Sequence, residues 1–231
     1  MELIKSISYF ETERPANLEC TVELAVQRAV ELRIRKLVIF TTRGKGPKLA
    51  LPLAAAHGLE IIAATSAHGE QLKERSDPDA QPETVGITDP ELRKELEANG
   101  VRIVSGLLPF QDIFLPGVPD TKLTVISEVL DLIAGGLRLC VQAIIMATEA
   151  GYVRPGEDVV AMAADVAIVA TGCYKLLLFS PFDGMQIREI ICKPRNLTRT
   201  KPGRPHAVNG EPLGEQEEDV KGTGKAGEAC G

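Results

Sequence analysis

VIFTTRGKGPKLAL, residues 38–51, is the stretch that decides the fold. Its first three residues belong to an apolar run, Leu37 to Phe40, of the kind that a parallel strand covered on both faces requires. The chain then turns through Arg43-Gly44-Lys45-Gly46-Pro47 and resumes with an apolar pattern typical of a helix. This succession predicts a strand, a glycine turn and a helix, which is the unit from which α/β sheets are built.

The same alternation continues on both sides of this stretch. We predict strands at 3–10, 37–40, 59–65, 101–106 and 187–193, and a run at 159–170 that a turn near Ala163 to Asp165 divides into two strands. Helices are predicted at 17–32, at 48–57, from Pro90 to just before Gly100, at 121–134 and at 137–150. The fold class that follows is a three-layer αβα domain over residues 1–195, with a mostly parallel sheet and an antiparallel last strand.

Three segments fall outside this alternation. Residues 69–89 are polar and predict a long surface loop. Residues 107–119 hold three prolines among apolar residues, and we expect a lid or a contact with a partner or a second copy, because this segment has apolar side chains that need a cover: Leu107, Leu108, Phe110, Ile113 and Phe114. Residues 196–231 are rich in Gly, Pro, Glu and Lys and predict a disordered tail, because such a segment cannot offset its ordering entropy by burial.

The composition excludes several classes of protein. The net charge of −6 does not favour a nucleic-acid or an anionic membrane surface. The longest nearly apolar run, 159–170, is far shorter than the roughly 20 residues of a membrane span, and the N-terminus lacks a secretory pattern, so a cytoplasmic location is expected. The five cysteines form no C-x-x-C pair, so we predict no metal site and interpret Cys140 and Cys192 as small core residues.

The turn after residue 40 has the features of an anion site. Gly44 and Gly46 let backbone amides approach a ligand, the next helix presents its positive end, and Arg43 and Lys45 add charge. A phosphate group fits these features best. The sequence is neither a Walker A loop nor a dinucleotide fingerprint. The alternative is an ordinary tight turn with solvated cations.

Other polar residues follow strands of the same predicted sheet. Ligands of α/β sheets bind beyond the carboxyl ends of the strands. Thr41 and Thr42 follow one strand, Thr65 and His68 lie at the end of the next, and Asp165 falls in the turn of the divided run. We expect them to orient the rest of the ligand. The alternatives are a surface position or a hydrogen-bonding role for His68, and a turn or capping role for Asp165.

Several stretches together resemble a known family. These are 17–32, KLVIFTTRG (36–44), TSAHG (65–69), 136–151 and REIICKPR (188–195), and they resemble the free-standing relatives of the pyruvate kinase C-terminal α/β domain. The resemblance implies that fold, a role in subunit contacts and a phosphate site in the turn at 41–46. It does not imply pyruvate kinase activity, because that belongs to a separate β/α barrel for which 231 residues leave no room.

The chain departs from that family at three places. Gly46-Pro47 stands where the family usually has a small hydroxyl or alanine-bearing sequence, and Ala163-Ala164 replaces a glycine-rich loop before Asp165. Arg33 replaces a glycine at a helix end, at a cost of about 1 kcal/mol if it is left-handed. The shortened loop weakens the case for phosphate most, whereas Thr65, His68, Gly69 and Asp165 still match.

The function predicted from the sequence is binding of a phosphorylated small molecule, for which a nucleotide such as flavin mononucleotide (FMN) is one candidate. The first alternative is an oligomerisation or regulatory module that uses residues 107–119, with a homo-oligomer as one form. The second is an enzyme on a phosphorylated substrate with His68 as proton carrier, although the sequence names no activating partner for it.

Overall fold

The computed structural model describes residues 6–72, 81–111 and 121–197. In these ranges the strands are β1 (Ser8–Thr12), β2 (Lys36–Phe40), β3 (Glu60–Thr65), β4 (Gln71–Leu72), β5 (Glu83–Thr84), β6 (Arg102–Ser105), β7 (Asp158–Met162), β8 (Ala167–Thr171) and β9 (Ile187–Asn196). The helices are α1 (Leu18–Leu32), α2 (Lys45–His57), α3 (Pro90–Ala98), α4 (Thr121–Asp131) and α5 (Leu137–Glu149). None of the described helices has the length and apolar character needed to cross a membrane.

Seven of the described strands form one sheet, in the order β1-β9-β8-β7-β2-β3-β6. The pairs β7–β2, β2–β3 and β3–β6 are parallel. Strand β8 runs antiparallel to both of its neighbours, so the last strand, β9, forms an antiparallel pair with β8 and a parallel pair with β1. The predicted mixed α/β class with a mostly parallel sheet is confirmed.

Helices cover both faces of this sheet, which explains the continuous apolar character of β2. Leu37 and Ile39 belong to the core under α1 and α2, whereas Val38 between them belongs to the core under α5. All three side chains are fully buried. Helix α4 packs outside α5, where Leu123, Ile126 and Leu130 contact a third cluster.

Strand β1 is Ser8–Thr12, whereas the prediction was 3–10, of which residues 3–5 lie outside the described residues. Two other predicted boundaries are wrong, each for a local reason. Helix α2 begins at Lys45 rather than 48, because Gly44 is left-handed and Pro47 falls in the first turn, where an amide has no acceptor to lose. Strand β9 continues through Pro194, since beyond Cys192 it pairs with β1 alone and the missing donor falls on an open edge.

The structure differs in part from the predictions for the three segments outside the strand–helix alternation. The loop predicted at 69–89 contains the antiparallel pair β4–β5. Asn196, the first residue of the predicted tail, is in β9, and residues 198–231 lie outside the described residues, as do Ile113 and Phe114. Phe110 is buried against Val141 and Ile145 of α5, and its amide donates a 2.8 Å hydrogen bond to Gln142. Its side chain is therefore covered within the chain and not free for a partner.

Candidate functional site

The sheet order brings three of the predicted turns to one edge. Strands β7, β2 and β3 are adjacent and parallel, so the turns that follow them lie side by side at their carboxyl ends. The amide of Thr41 donates a 3.0 Å hydrogen bond to the carbonyl of Ala64, which ties the end of β2 to the end of β3. The residues named from the sequence therefore share an edge, as expected.

The turn after β2 is closed by its own hydrogen bonds. The amide of Gly44 donates to Oγ1 of buried Thr41 at 2.9 Å, and the Gly44 carbonyl accepts from the amide of Lys48 at 3.2 Å. Gly44 has φ of 84°, a left-handed conformation that glycine adopts without strain. Its amide is thus committed within the protein, which the sequence did not reveal.

A neighbouring segment lies against this turn. The amides of Gly86 and Ile87 both donate to the carbonyl of Thr42, at 3.0 and 3.1 Å. A Cβ added to Gly44 would lie 2.9 Å from Cδ2 of Leu92 in α3. Gly86 and Ile87 were not among the residues predicted from the sequence, and the available signal was Gly86 itself, a glycine inside the predicted loop 69–89.

The cations near the start of α2 differ in their partners. Arg43 forms an ion pair with Glu83 in which both side chains are mostly exposed, and Lys48 forms one of 2.9 Å with Glu95. Lys45 is exposed and has no ion pair in the described part of the chain. The amides of Lys45 and Gly46 likewise have no hydrogen-bond acceptor among the described residues. Helix α2 therefore begins with free donors next to positive charge.

Gly46 allows the first turn of α2 to lie close to the sheet. A Cβ at this position would lie 3.0 Å from Cγ2 of Ile39. The Gly46-Pro47 sequence thus has a packing explanation: the glycine leaves room for Ile39, and Pro47 is itself buried. Neither residue supplies a side-chain ligand.

The end of β3 contains hydroxyl groups without partners. Thr65 and Ser66 are both fully buried, and their hydroxyl groups have no hydrogen-bond partner among the described residues. Ser66 was not among the predicted site residues, although it directly follows Thr65. His68 is exposed, and its Nδ1 lies 3.4 Å from the carbonyl of Gly86. Gly86 therefore contacts both Thr42 and His68.

Asp165 lies in the turn between β7 and β8 but faces a different neighbourhood. It is 8% exposed, it accepts a hydrogen bond from the amide of Arg14, just beyond β1, and it is subject to the negative charge of Glu13. Burial, which has the largest effect, and the negative charge of Glu13 together raise the pKa of Asp165 to about 6, against the lowering effect of the amides of Asp165 and Arg14. In the described part of the chain, no cationic side chain is among the groups that set this pKa. Asp165 therefore belongs to the same edge but not to the cluster around Gly86.

Cys140 and Cys192 occupy the positions in the core that their apolar neighbours in the sequence predicted. Cys140 and Cys192 are fully buried free thiols, and burial raises the pKa of Cys192 to about 12 and that of Cys140 still higher. The interpretation of both as small core residues is confirmed. In residues 6–72, 81–111 and 121–197, no group of three or more His, Cys, Asp or Glu residues could hold a metal ion.

Comparisons with known proteins find distant matches among solved structures. No protein-family model matches the chain. Cryptosporidium parvum pyruvate kinase matches over 69% of this chain and 23% of its own, with 17% sequence identity and a TM-score of 0.34. Cryptosporidium parvum pyruvate kinase in complex with ADP matches over 75% of this chain and 23% of its own, with 18% identity and a TM-score of 0.31.

The match thus spans 23% of the length of the enzyme's chain in both structures. The matches describe a distant and partial likeness to pyruvate kinases in fold.

Proposed function

We propose that this chain binds a phosphorylated small molecule at the carboxyl edge of the sheet, with the phosphate at the start of α2. The observation that carries the proposal is the combination of two free amides, at Lys45 and Gly46, with the exposed ammonium group of Lys45. The first amides of a helix and its positive dipole end favour an anion. Arg43 lies one residue before the helix cap and supplies a second cation.

The contacts in this turn revise the role of individual residues. Because Thr41 accepts the Gly44 amide, these two residues would shape the turn, and the phosphate would be held by Lys45, Gly46 and Arg43. Arg43 would have to exchange its exposed ion pair with Glu83 for the ligand. Such a pair is worth at most about 1 kcal/mol in water, so the exchange is accessible.

The rest of the ligand would lie over the neighbouring strand ends. Strands β3 and β7 flank β2, so the turns at Thr65 to His68 and at Asp165 are separated by two strand spacings, about 10 Å. A ligand must extend well beyond its phosphate to reach from α2 to either side. A nucleotide such as FMN has this size, and Thr42, Thr65, His68 and Asp165 are the residues proposed to orient it.

Titration calorimetry with inorganic phosphate, a sugar phosphate and FMN tests the proposal. We expect at least one of the organic phosphates to bind, and Arg43→Ala/Lys45→Ala to weaken that binding by at least tenfold, since two charge-assisted contacts are lost. Lys48→Ala is the matched control, because Lys48 lies in the same helix but pairs with Glu95. If none of the three compounds binds, or if the double variant and the control bind with equal affinity, the proposed site is wrong.

The two alternative functions have less support. For an interaction module based on residues 107–119, the side chain of Phe110 cannot contact a partner, because it packs on α5. An enzyme with His68 as proton carrier needs a group that activates the imidazole, and the ring contact among the described residues is the carbonyl of Gly86. We therefore advance ligand binding as the function.

A further inference from the structure

A cavity of about 420 Å³ lies at the amino edge of the sheet, opposite the proposed phosphate site. It is formed where α1 ends before β2 and where α2 ends before β3. The amide of Glu60 donates a 2.8 Å hydrogen bond to the carbonyl of Arg35, which holds these two connections side by side. A Cβ added to Gly58 in the cavity wall would have no atom within 4 Å. The cavity is therefore open here, and its volume is in the range of small-molecule sites.

Three basic side chains line this cavity. Arg33, Arg35 and His57 are all exposed, and none of them forms an ion pair or a side-chain hydrogen bond with another described residue. Among the described residues that line the cavity, none is acidic. The cavity therefore has a positive potential on a chain whose net charge is −6, and this potential favours an anion.

Arg33 adopts a backbone conformation that favours glycine. It caps α1 with φ of 55°, and Gly58 caps α2 in the same way with φ of 65°. In both caps the amide donates to carbonyls in the last turn of the helix. This left-handed conformation strains an arginine but not a glycine, and within the described residues no hydrogen bond or ion pair of the Arg33 guanidinium offsets the strain. A strained residue with a free functional group is typical of a binding site.

The rest of the cavity wall is mostly apolar. Its side chains come from the last turn of α1 and from the residues before β2 and β3: Ala29, Val30, Ile34 and Leu59. An inorganic ion would leave this apolar surface in contact with water, whereas the carbon skeleton of an organic anion would cover it. The combination of basic groups and an apolar wall therefore favours an organic anion.

We propose that this cavity binds a small organic anion, whose carboxylate or phosphate oxygens are held by Arg33 and Arg35 and whose apolar body packs on Ile34 and Leu59. A guanidinium group forms paired hydrogen bonds with both kinds of oxyanion. His57 adds a ring N–H donor from the end of α2. The site is separate from the one at the start of α2, because it lies at the opposite edge and uses side chains rather than helix amides.

Titration calorimetry of the full chain with phthalate, phenyl phosphate and benzyl alcohol tests the proposal. These three compounds share an aromatic body and present two carboxylates, a phosphate or a neutral hydroxyl. We expect at least one of the two anions to bind and benzyl alcohol not to bind, because the guanidinium groups require an oxyanion. Which anion binds more tightly identifies the chemical class of the ligand.

Arg33→Gly is the most informative variant, because it removes the guanidinium and also relieves the left-handed strain. We expect about tenfold weaker binding of the anion with no loss of stability in urea unfolding. Arg35→Gln, which leaves the strain in place, should weaken binding similarly. Arg195→Gln is the matched control and should bind as the wild type does, since Arg195 is an exposed arginine at the carboxyl end of β9, without an ion pair among the described residues.

Arg43→Ala/Lys45→Ala separates this site from the proposed phosphate site, which would also accept phenyl phosphate. Binding at the amino edge should be retained in this double variant and weakened in Arg33→Gly. The proposal is overturned if neither anion binds the wild type, if Arg33→Gly binds as tightly as the wild type, or if only the double variant loses affinity. A loss of stability in Arg33→Gly also overturns it, because the side chain would then serve the fold.

Discussion

The amide of Gly44 donates a 2.9 Å hydrogen bond to the hydroxyl of Thr41, so the glycine turn after β2 is held closed by its own first side chain. Both residues are buried, so no bulk water replaces this contact if it is lost. The hydroxyl of Thr41 is therefore a structural group of the turn, whatever the turn binds.

Replacing Thr41 tests this hydrogen bond. Thr41→Val keeps the shape of the side chain but leaves the Gly44 amide without an acceptor, and we expect a loss of about 1–3 kcal/mol in the free energy of unfolding. Thr41→Ser keeps the hydroxyl and should lose less. Urea unfolding of the three proteins measures the difference. If Thr41→Val is as stable as the wild type, the amide has another acceptor.

Gly44 should tolerate alanine less well than the matched position Gly58. Both are left-handed, with φ of 84° and 65°. A Cβ at Gly44 would lie 2.9 Å from Leu92, whereas one at Gly58 would have no atom within 4 Å. Gly58→Ala should cost about 1 kcal/mol for its conformation alone, and Gly44→Ala about 1–3 kcal/mol more for the overlap. Thermal and urea unfolding compare the two, and equal losses would show that the segment at Leu92 moves without cost.

Glu83 should compete with the ligand for Arg43. Because Glu83 pairs with Arg43 at the proposed phosphate site, Glu83→Gln removes a negative charge and frees the guanidinium. We expect a two- to fivefold gain in phosphate-ligand affinity by calorimetry, as appropriate for an exposed pair worth less than about 1 kcal/mol. Glu95→Gln, which frees Lys48 instead, is the control. Unchanged affinity in Glu83→Gln would place the anion away from Arg43.

Asp165 should make the stability of the protein depend on pH. Its pKa is raised by burial and by Glu13 from the ordinary 3.8 to about 6, so the folded chain holds this proton more tightly than the unfolded chain does. Between these two values the free energy of unfolding therefore falls as pH rises, by about 1–3 kcal/mol in total. Asp165→Asn cannot titrate and should gain on the wild type by that amount between pH 4 and pH 7.

Urea unfolding of both proteins across this pH range measures the difference. Asp183→Asn, at an exposed position in the β8–β9 connection, is the control for general charge effects. A constant difference between wild type and Asp165→Asn would mean that the pKa of Asp165 is not raised in the folded chain.

The strands and helices predicted correctly from the sequence were those in which the apolar positions of the local pattern are the positions that the fold buries. The apolar run before Gly44 predicted a strand covered on both faces, and β2 contributes Leu37 and Val38 to opposite cores. The division of 159–170 near Asp165 is confirmed by β7 and β8. Asp89 was a recognisable helix start, and its carboxylate accepts from the amides of Glu91 and Leu92.

The site was harder to predict, because its contacts join residues far apart in the chain. The carboxyl-edge location of Thr41, Thr65 and Asp165 followed from the alternation of strands and helices. The hydrogen bond from the Gly86 amide to the Thr42 carbonyl could not be predicted, because the loop between these two residues showed no pattern of helix or strand. The burial of Phe110 was also hidden, because its cover is α5, a helix that starts 27 residues later in the chain.

Sequence alone determined the α/β class, the register of apolar faces and the collection of polar turns at one edge, because these depend on the spacing of residues along each element. Tertiary structure decided which groups at that edge remain free. The Gly44 amide is taken by Thr41, whereas the amides of Lys45 and Gly46 are not. A hydrogen-bond donor is used up by whatever acceptor packing places within about 3 Å of it, and no pattern of residue types specifies that distance.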